Sequence, residues 1–160
     1  WSRGARDPAR RMNARAPGPQ DSRVMPAFSW TFRVRYHECD PQGIVFNANY
    51  FTYFDMTMTE LFRASFPAAG YTEMITVHGV DVVVAEATAR FAGSARFDDE
   101  IELRATITRL GTTGMTTALE VVRDGDALVS GELRHVFVDA ATWEKTPIPD
   151  AVRTALSGWS

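Results

Sequence analysis

The stretch YFTYFDMTMTELFRASF, residues 50–66, runs for four turns without glycine or proline, and Pro67 follows it directly. Proline restricts the residue before it to extended backbone, and an asparagine at position 47 or 49 can accept the first free N–H groups, so a helix is predicted from about Tyr50 to Phe66. At 100° per residue Phe51, Phe54, Met58, Leu61 and Phe62 form one apolar stripe. Tyr53 and Met56 fall on the far side of it. A helix apolar on more than one face is expected to be wrapped by the rest of the chain rather than laid on a surface.

Working outward, the flanks have the other period. Phe28, Trp30, Phe32, Val34 and Tyr36 alternate with Ser29, Thr31, Arg33 and Arg35, which predicts a half-buried strand ending at the turn Asp40-Pro41-Gln42-Gly43. After Gly70 the spacing is two for the rest of the domain. Between Val80 and Phe91 one face reads Val83, Ala85, Ala87, Ala89 and Phe91, small enough for a helix to approach closely, and the other Val82, Val84, Glu86, Thr88 and Arg90. Further strands are predicted near 101–108, 115–123 and 127–139, joined by Gly111–Gly114 and by the hairpin signal Asp124-Gly125. Thr146–Pro149 reads as a linker, with Asp150 capping a short terminal helix. One strand, one long helix and four antiparallel strands make an α+β domain over residues 27–160.

Residues 1–26 differ from the rest. Six arginines against two aspartates give this leader +4, while the remainder carries −7. Rich in Arg, Pro, Gly and Ala, it lacks the apolar surface that would offset ordering, so it is expected to be disordered. Translation from Met12 or Met25 would account for it. The acidic remainder repels phosphate, so no nucleic-acid partner is expected. No apolar run reaches the roughly 20 residues of a membrane span. A single cysteine, Cys39, and the dispersed His37, His78 and His135 offer neither a disulfide nor a zinc-like spacing, so no metal is expected. Without a signal-peptide core, the expected compartment is the cytoplasm.

The stretch Tyr36-His37-Glu38-Cys39-Asp40-Pro41-Gln42-Gly43-Ile44-Val45-Phe46-Asn47-Ala48-Asn49-Tyr50 resembles the signature of 4-hydroxybenzoyl-CoA thioesterase-like proteins of the hotdog fold. Phe91 followed by Phe97-Asp98-Asp99-Glu100-Ile101 is similar to their second conserved segment. The resemblance implies a curved antiparallel sheet wrapped around one long central helix, subunits paired sheet edge to edge as a homodimer or homotetramer, and active sites where they meet. It implies an acyl-CoA thioesterase that needs no cofactor, CoA being part of the substrate. The chemistry then falls to Asp40, with Glu38 in the first acidic position and Asn47 where histidine often stands. Gly43, Val45, Phe46, Asn47 and Tyr50 become candidates for binding substrate, which would be a short- or medium-chain or aromatic acyl thioester.

Physical chemistry supports that role for Asp40. A thioester carbonyl yields to a carboxylate nucleophile or to water activated by a carboxylate base, and the sequence leaves both routes open. A helix N-terminus just downstream can stabilise the developing oxyanion. An Asp before Pro-x-Gly also suits an ordinary turn, and Asn47 suits a helix cap equally well. Asp55, at the edge of the stripe near Phe62, is a candidate for the acyl pocket; Glu60 is expected to be solvated or paired with arginine. Phe51, Phe54 and Phe62 read as core, with Phe46 and Tyr50 as better pocket candidates. His78 and His135 read as surface or hydrogen-bonded core residues. Arg109 and the Gly111-Thr112-Thr113-Gly114 hairpin, with Arg134, are a sparse grip for CoA phosphates, which leaves a carrier-protein thioester open. The alternative in another class is a non-catalytic hotdog module that binds acyl thioesters or serves assembly; a dehydratase is disfavoured, since the only nearby histidine, His37, precedes the turn.

Overall fold

A computed structural model describes residues 28–160; the leader predicted over 1–26 lies outside the described residues. Alternation becomes five antiparallel strands: β1 (Phe28–Arg33), β2 (Val80–Phe91), β3 (Glu100–Leu110), β4 (Gly114–Arg123) and β5 (Asp126–Asp139). They form one sheet in the order β1-β3-β4-β5-β2, which leaves β1 and β2 at its edges. Helix α1 (Asn49–Ser65) packs on the inner face, and α2 (Tyr71–Thr76) and α3 (Asp150–Ser157) close its flanks. This is the α+β hotdog arrangement.

Helix α1 buries Tyr50, Tyr53, Phe54, Thr57, Met58, Leu61 and Phe62, a single face at steps of three and four. The buried face is therefore rotated from the predicted stripe: Tyr53 is fully buried, whereas Phe51, expected in the core, is 38% exposed. Neither asparagine caps the helix through its side chain. Ala48 holds the cap position, and Asn49 Nδ2 donates instead to the Glu38 carbonyl at 2.7 Å.

Other corrections arise from tertiary contacts. The first strand stops at Arg33, because Val34 N–H donates to the Asp99 carbonyl and Tyr36–Glu38 then turn as a 3₁₀ segment. Tyr36 is consequently 80% exposed rather than inward. Helix α2 occupies residues read as extended, and Asp150 lies in the first turn of α3, where it faces the helix dipole without capping by its side chain.

The largest change concerns β2. A bulge at Ala85 shifts its register against β5, with Val84 opposite His135 but Glu86 opposite Arg134. One extra residue reverses the parity of everything after it. Val82 and Val84 therefore share the inner face with Ala87, Ala89 and Phe91, opposite the inward Phe137, His135, Leu133, Gly131 and Val129. The predicted split between these valines and alanines does not hold. At Ala89 the opposing residue is Gly131, and the Phe54 ring fills the space above it.

Candidate active site

The loop between β1 and α1 is built from its own backbone bonds. Gly43 N–H donates to the Asp40 carbonyl and Asp40 N–H to the Ile44 carbonyl, both at 2.9 Å. Gly43 has φ +75°, a left-handed conformation that favours glycine and lets the chain reverse. Gln42 N–H donates to Asp40 Oδ1 at 2.8 Å, so one carboxylate oxygen secures the turn. Asp40 is half-buried, while Gly43, Phe46 and Asn47 are exposed around it.

Beneath that surface the loop is anchored in the core. Val45 is buried and its N–H donates to the Ala95 carbonyl at 2.8 Å; Tyr50 is buried and its hydroxyl accepts from Ala95 N–H at 2.9 Å. Burial raises the Tyr50 phenol above its ordinary pKa, which keeps it neutral. Glu38, only 6% exposed, accepts from Arg35 N–H at 2.6 Å and from the Tyr53 hydroxyl at 3.0 Å. The first acidic position of the motif thus ties the loop to α1.

The second motif performs a similar task. Asp99 accepts from Arg96 N–H at 2.8 Å and from Arg123 Nη1 at 2.5 Å. Burial alone would raise its pKa, but the Arg123 bond, the Arg96 N–H and both positive charges hold it below the usual carboxylate value. The segment it fixes supplies Ala95 and Arg96, which pair with Val45 and Ile44.

Two cavities lie away from this loop in the single chain, and Asp40 lines neither. One, of about 240 Å³ between α1 and the inner face of β2, is lined by Asp55, Met58, Phe62, Val82, Val84 and His135, with Thr59 and Tyr71 at its margin. The other, of about 340 Å³, brings Arg109, Arg134 and Lys145 together beside Thr112 and Thr113. Arg134 also meets Glu86 at 3.4 Å. The sequence reading missed Lys145, which reaches β5 only because its backbone bridges Val138. Of the helix carboxylates, Glu60 is paired with Arg63 and Asp55 stands at the first cavity.

His135 is 3% exposed and packs edge-on against Phe62 at 6.5 Å. It is a core histidine, but not the hydrogen-bonded one expected: its Nδ1 has no partner among the described residues. The signal was in the sequence, since Leu133, His135 and Phe137 alternate on one face. Burial lowers its pKa from 6.5 to about 4, against a smaller opposing pull from Asp55. The unfolded chain therefore takes up this proton near pH 6.5 and the folded chain only near 4. The corresponding stability is complete above pH 6.5 and is lost as pH falls through that window, by roughly 3 kcal/mol at its lower end. Denaturant titrations at several pH values should show this loss in the wild type and a profile flatter by that amount in His135→Leu.

Comparison with known proteins agrees with the architecture. Residues 34–156 match the family model of the thioesterase-like superfamily. The acyl-CoA thioester hydrolase YbgC of Escherichia coli is 25% identical over 126 residues, covering 78% of this chain and 92% of that protein. Among solved structures, a hypothetical protein from Aquifex aeolicus superposes with a TM-score of 0.74 at 27% identity, covering 81% of this chain and 98% of its own. The gentisyl-coenzyme A thioesterase BH1999 superposes at 0.70 with 25% identity, covering 81% and 99%. The match spans the first motif, α1, strands β2 to β5 and most of α3, well over half of the chain, and the chain belongs to the thioesterase-like superfamily.

Proposed function

We propose that this protein hydrolyses acyl-CoA thioesters, with Asp40 as the reacting carboxylate. The observation that carries the reading is the position of Asp40: a half-buried carboxylate on a turn fixed at both ends, in the loop that leads from β1 into α1, in a chain of this superfamily. Oδ1 holds Gln42 N–H, which leaves Oδ2 for the reaction. It attacks the thioester carbon to give an anhydride or takes a proton from attacking water; either way the CoA thiolate leaves and water supplies the second oxygen of the acid. The first N–H groups of α1, on Asn49, Tyr50 and Phe51, already donate to the Phe46, Asn47 and Ala48 carbonyls, so the helix N-terminus offers an oxyanion its partial positive charge rather than free donors. The names of YbgC and BH1999 support CoA as the carrier of the acyl group.

A second copy of the chain completes the site in this reading. Strand β2 is a sheet edge whose residues Val84–Thr88 are all exposed, and Phe46, Phe51 and Phe91 are exposed near its end. A long, exposed edge of this kind, with Glu86 the one charge between Val84 and Thr88, is stabilised by pairing with another strand. Light scattering should give twice the 17.8 kDa chain mass, or four times it if two such dimers assemble; a monomer would remove this part of the reading.

The basic cavity suits the phosphates of CoA, with Arg109, Arg134 and Lys145 supplying charge and the threonines hydroxyls. Lys145→Ala should raise KM for CoA thioesters about three- to fivefold with kcat unchanged, the size of one partly exposed charge contact. KM for the matching N-acetylcysteamine thioester, which lacks the nucleotide, should not move. The function itself is tested by a hydrolysis screen with CoA thioesters of graded chain length and aromatic acyl groups. Turnover of at least one group is expected. No turnover across the panel, with binding retained, would favour a silent acyl-thioester-binding module.

A further inference from the structure

We infer that the cavity between α1 and β2 takes the far end of an acyl group bearing a positively charged nitrogen, with Asp55 as its counter-charge and Phe62 and Tyr71 as its aromatic walls. The inference rests on the thioesterase reading and names the substrate class of that site.

Asp55 differs from the carboxylates around it. Glu60 is paired with Arg63, and Asp81 accepts from the Tyr71 hydroxyl and from Val82 N–H. The Asp55 carboxylate has neither a hydrogen bond nor an ion pair among the described residues. Only its main-chain carbonyl is engaged, by the Thr59 hydroxyl at 3.1 Å. It lines a cavity of about 240 Å³ together with Met58, Phe62, Tyr71, Val82 and Val84. No lysine or arginine lines that cavity, and its one imidazole is uncharged, since burial holds His135 to a pKa of about 4. The charge of Asp55 is felt on both sides: it adds to the upward shift of the Tyr71 phenol and opposes the downward shift of His135.

The aromatic rings complete the set. Phe62 and Tyr71 lie with centroids 5.8 Å apart, tilted by 40°. A cation is attracted to an aromatic face within roughly 6 Å, the more so once water is displaced. A hydrocarbon end would suit the apolar walls but would strip water from the Asp55 carboxylate and put nothing in its place. A carboxylate end would meet like charge. An ammonium end satisfies the carboxylate and the rings, and the methylene chain behind it satisfies the apolar walls. Phe51, Asp55, Met58 and Phe62 recur at steps of four, three and four, so one face of α1 leads from the loop of Asp40 to this cavity. Asp55 stands about 9 Å along the helix axis from Asn49, where that loop enters α1.

The test uses the full chain and two non-hydrolysable thioethers of CoA that share one shape and differ in the charge of a single atom, S-(3-trimethylammoniopropyl)-CoA and S-(4,4-dimethylpentyl)-CoA. Calorimetry should show the cationic compound binding at least about fivefold more tightly to the wild type. A pocket without a counter-charge would give the opposite order, because the hydrocarbon leaves water more readily. Asp55→Asn keeps the shape of an exposed side chain and should abolish the preference, whereas Asp126→Asn, exposed at the start of β5, should leave it intact. In the wild-type complex the N-methyl protons should show nuclear Overhauser contacts to the Phe62 and Tyr71 rings. Equal or tighter binding of the neutral compound, a preference that survives in Asp55→Asn or disappears in Asp126→Asn, or N-methyl contacts to other rings alone would each overturn the inference. Hydrolysis is measured separately on the corresponding acyl-CoA pair. Its absence, with the binding preference intact, would remove the thioesterase reading and leave the pocket assignment standing; hydrolysis without the preference would do the reverse.

Discussion

Asp40→Asn should lower kcat/KM by at least about 10³-fold, a loss of roughly 4 kcal/mol in transition-state stabilisation. The amide has the shape of the carboxylate, and its oxygen can still accept the Gln42 N–H that Asp40 Oδ1 accepts now at 2.8 Å. The turn and the anchors beneath it, Val45 and Tyr50, are thereby preserved, and the thermal midpoint should move by only a few degrees. What the amide lacks is the negative charge needed to attack a carbonyl or draw a proton from water. Asp40→Ala would be less informative, because it removes the turn's side-chain acceptor together with the charge. The measurement is steady-state hydrolysis with a substrate found in the screen, alongside circular dichroism. A variant that keeps more than a tenth of wild-type activity would take the chemistry away from Asp40. Asp55, which stands at a cavity while Glu60 is paired with Arg63, would then be the carboxylate to examine.

Gly131→Ala is expected to be the most destabilising small substitution in the sheet, by about 3 kcal/mol or more. A Cβ there would lie 2.3 Å from the Thr88 carbonyl oxygen and 2.5 and 2.8 Å from two atoms of the Phe54 ring. Neither obstacle moves easily. The Thr88 carbonyl belongs to the backbone of β2, and Phe54 is fully buried in the core. Relief would require α1 to lift from the sheet or β2 to shift from β5, and either loses packing over many residues. In a domain of this size the thermal midpoint should fall by about 10 °C. Adding Phe54→Leu should recover part of the loss, since it removes the ring contacts and leaves the backbone one. An unchanged midpoint for the single variant would show that α1 and β2 sit further apart than described.

How much of this was legible beforehand depends on the range of the interaction. The order of elements followed from spacing within each segment, because a pleated strand or a helical turn presents its apolar residues at a period set by the local backbone. The turn at Asp40 was legible for the same reason, as Asp, Pro and Gly each constrain the few bonds around them. Glu38 was harder: its place in the motif gave it no role of its own, and the Tyr53 hydroxyl and Arg35 N–H from which it accepts show a buried anchor.

By itself, then, the sequence determined one helix enclosed by an antiparallel sheet and a carboxylate on the bend that precedes it. Tertiary structure decided what meets across the sheet. The bulge at Ala85 put Val82 and Val84 on the same side as the alanines, the opposition of Ala89 and Gly131 made room for Phe54, and chain reversal carried Lys145 to Arg109 and Arg134. His135 gained its significance only when α1 laid Phe62 and Asp55 beside it. Periodicity records which way a side chain points. It does not record which distant residue occupies the space it points into, because register between strands is fixed by packing of the whole core.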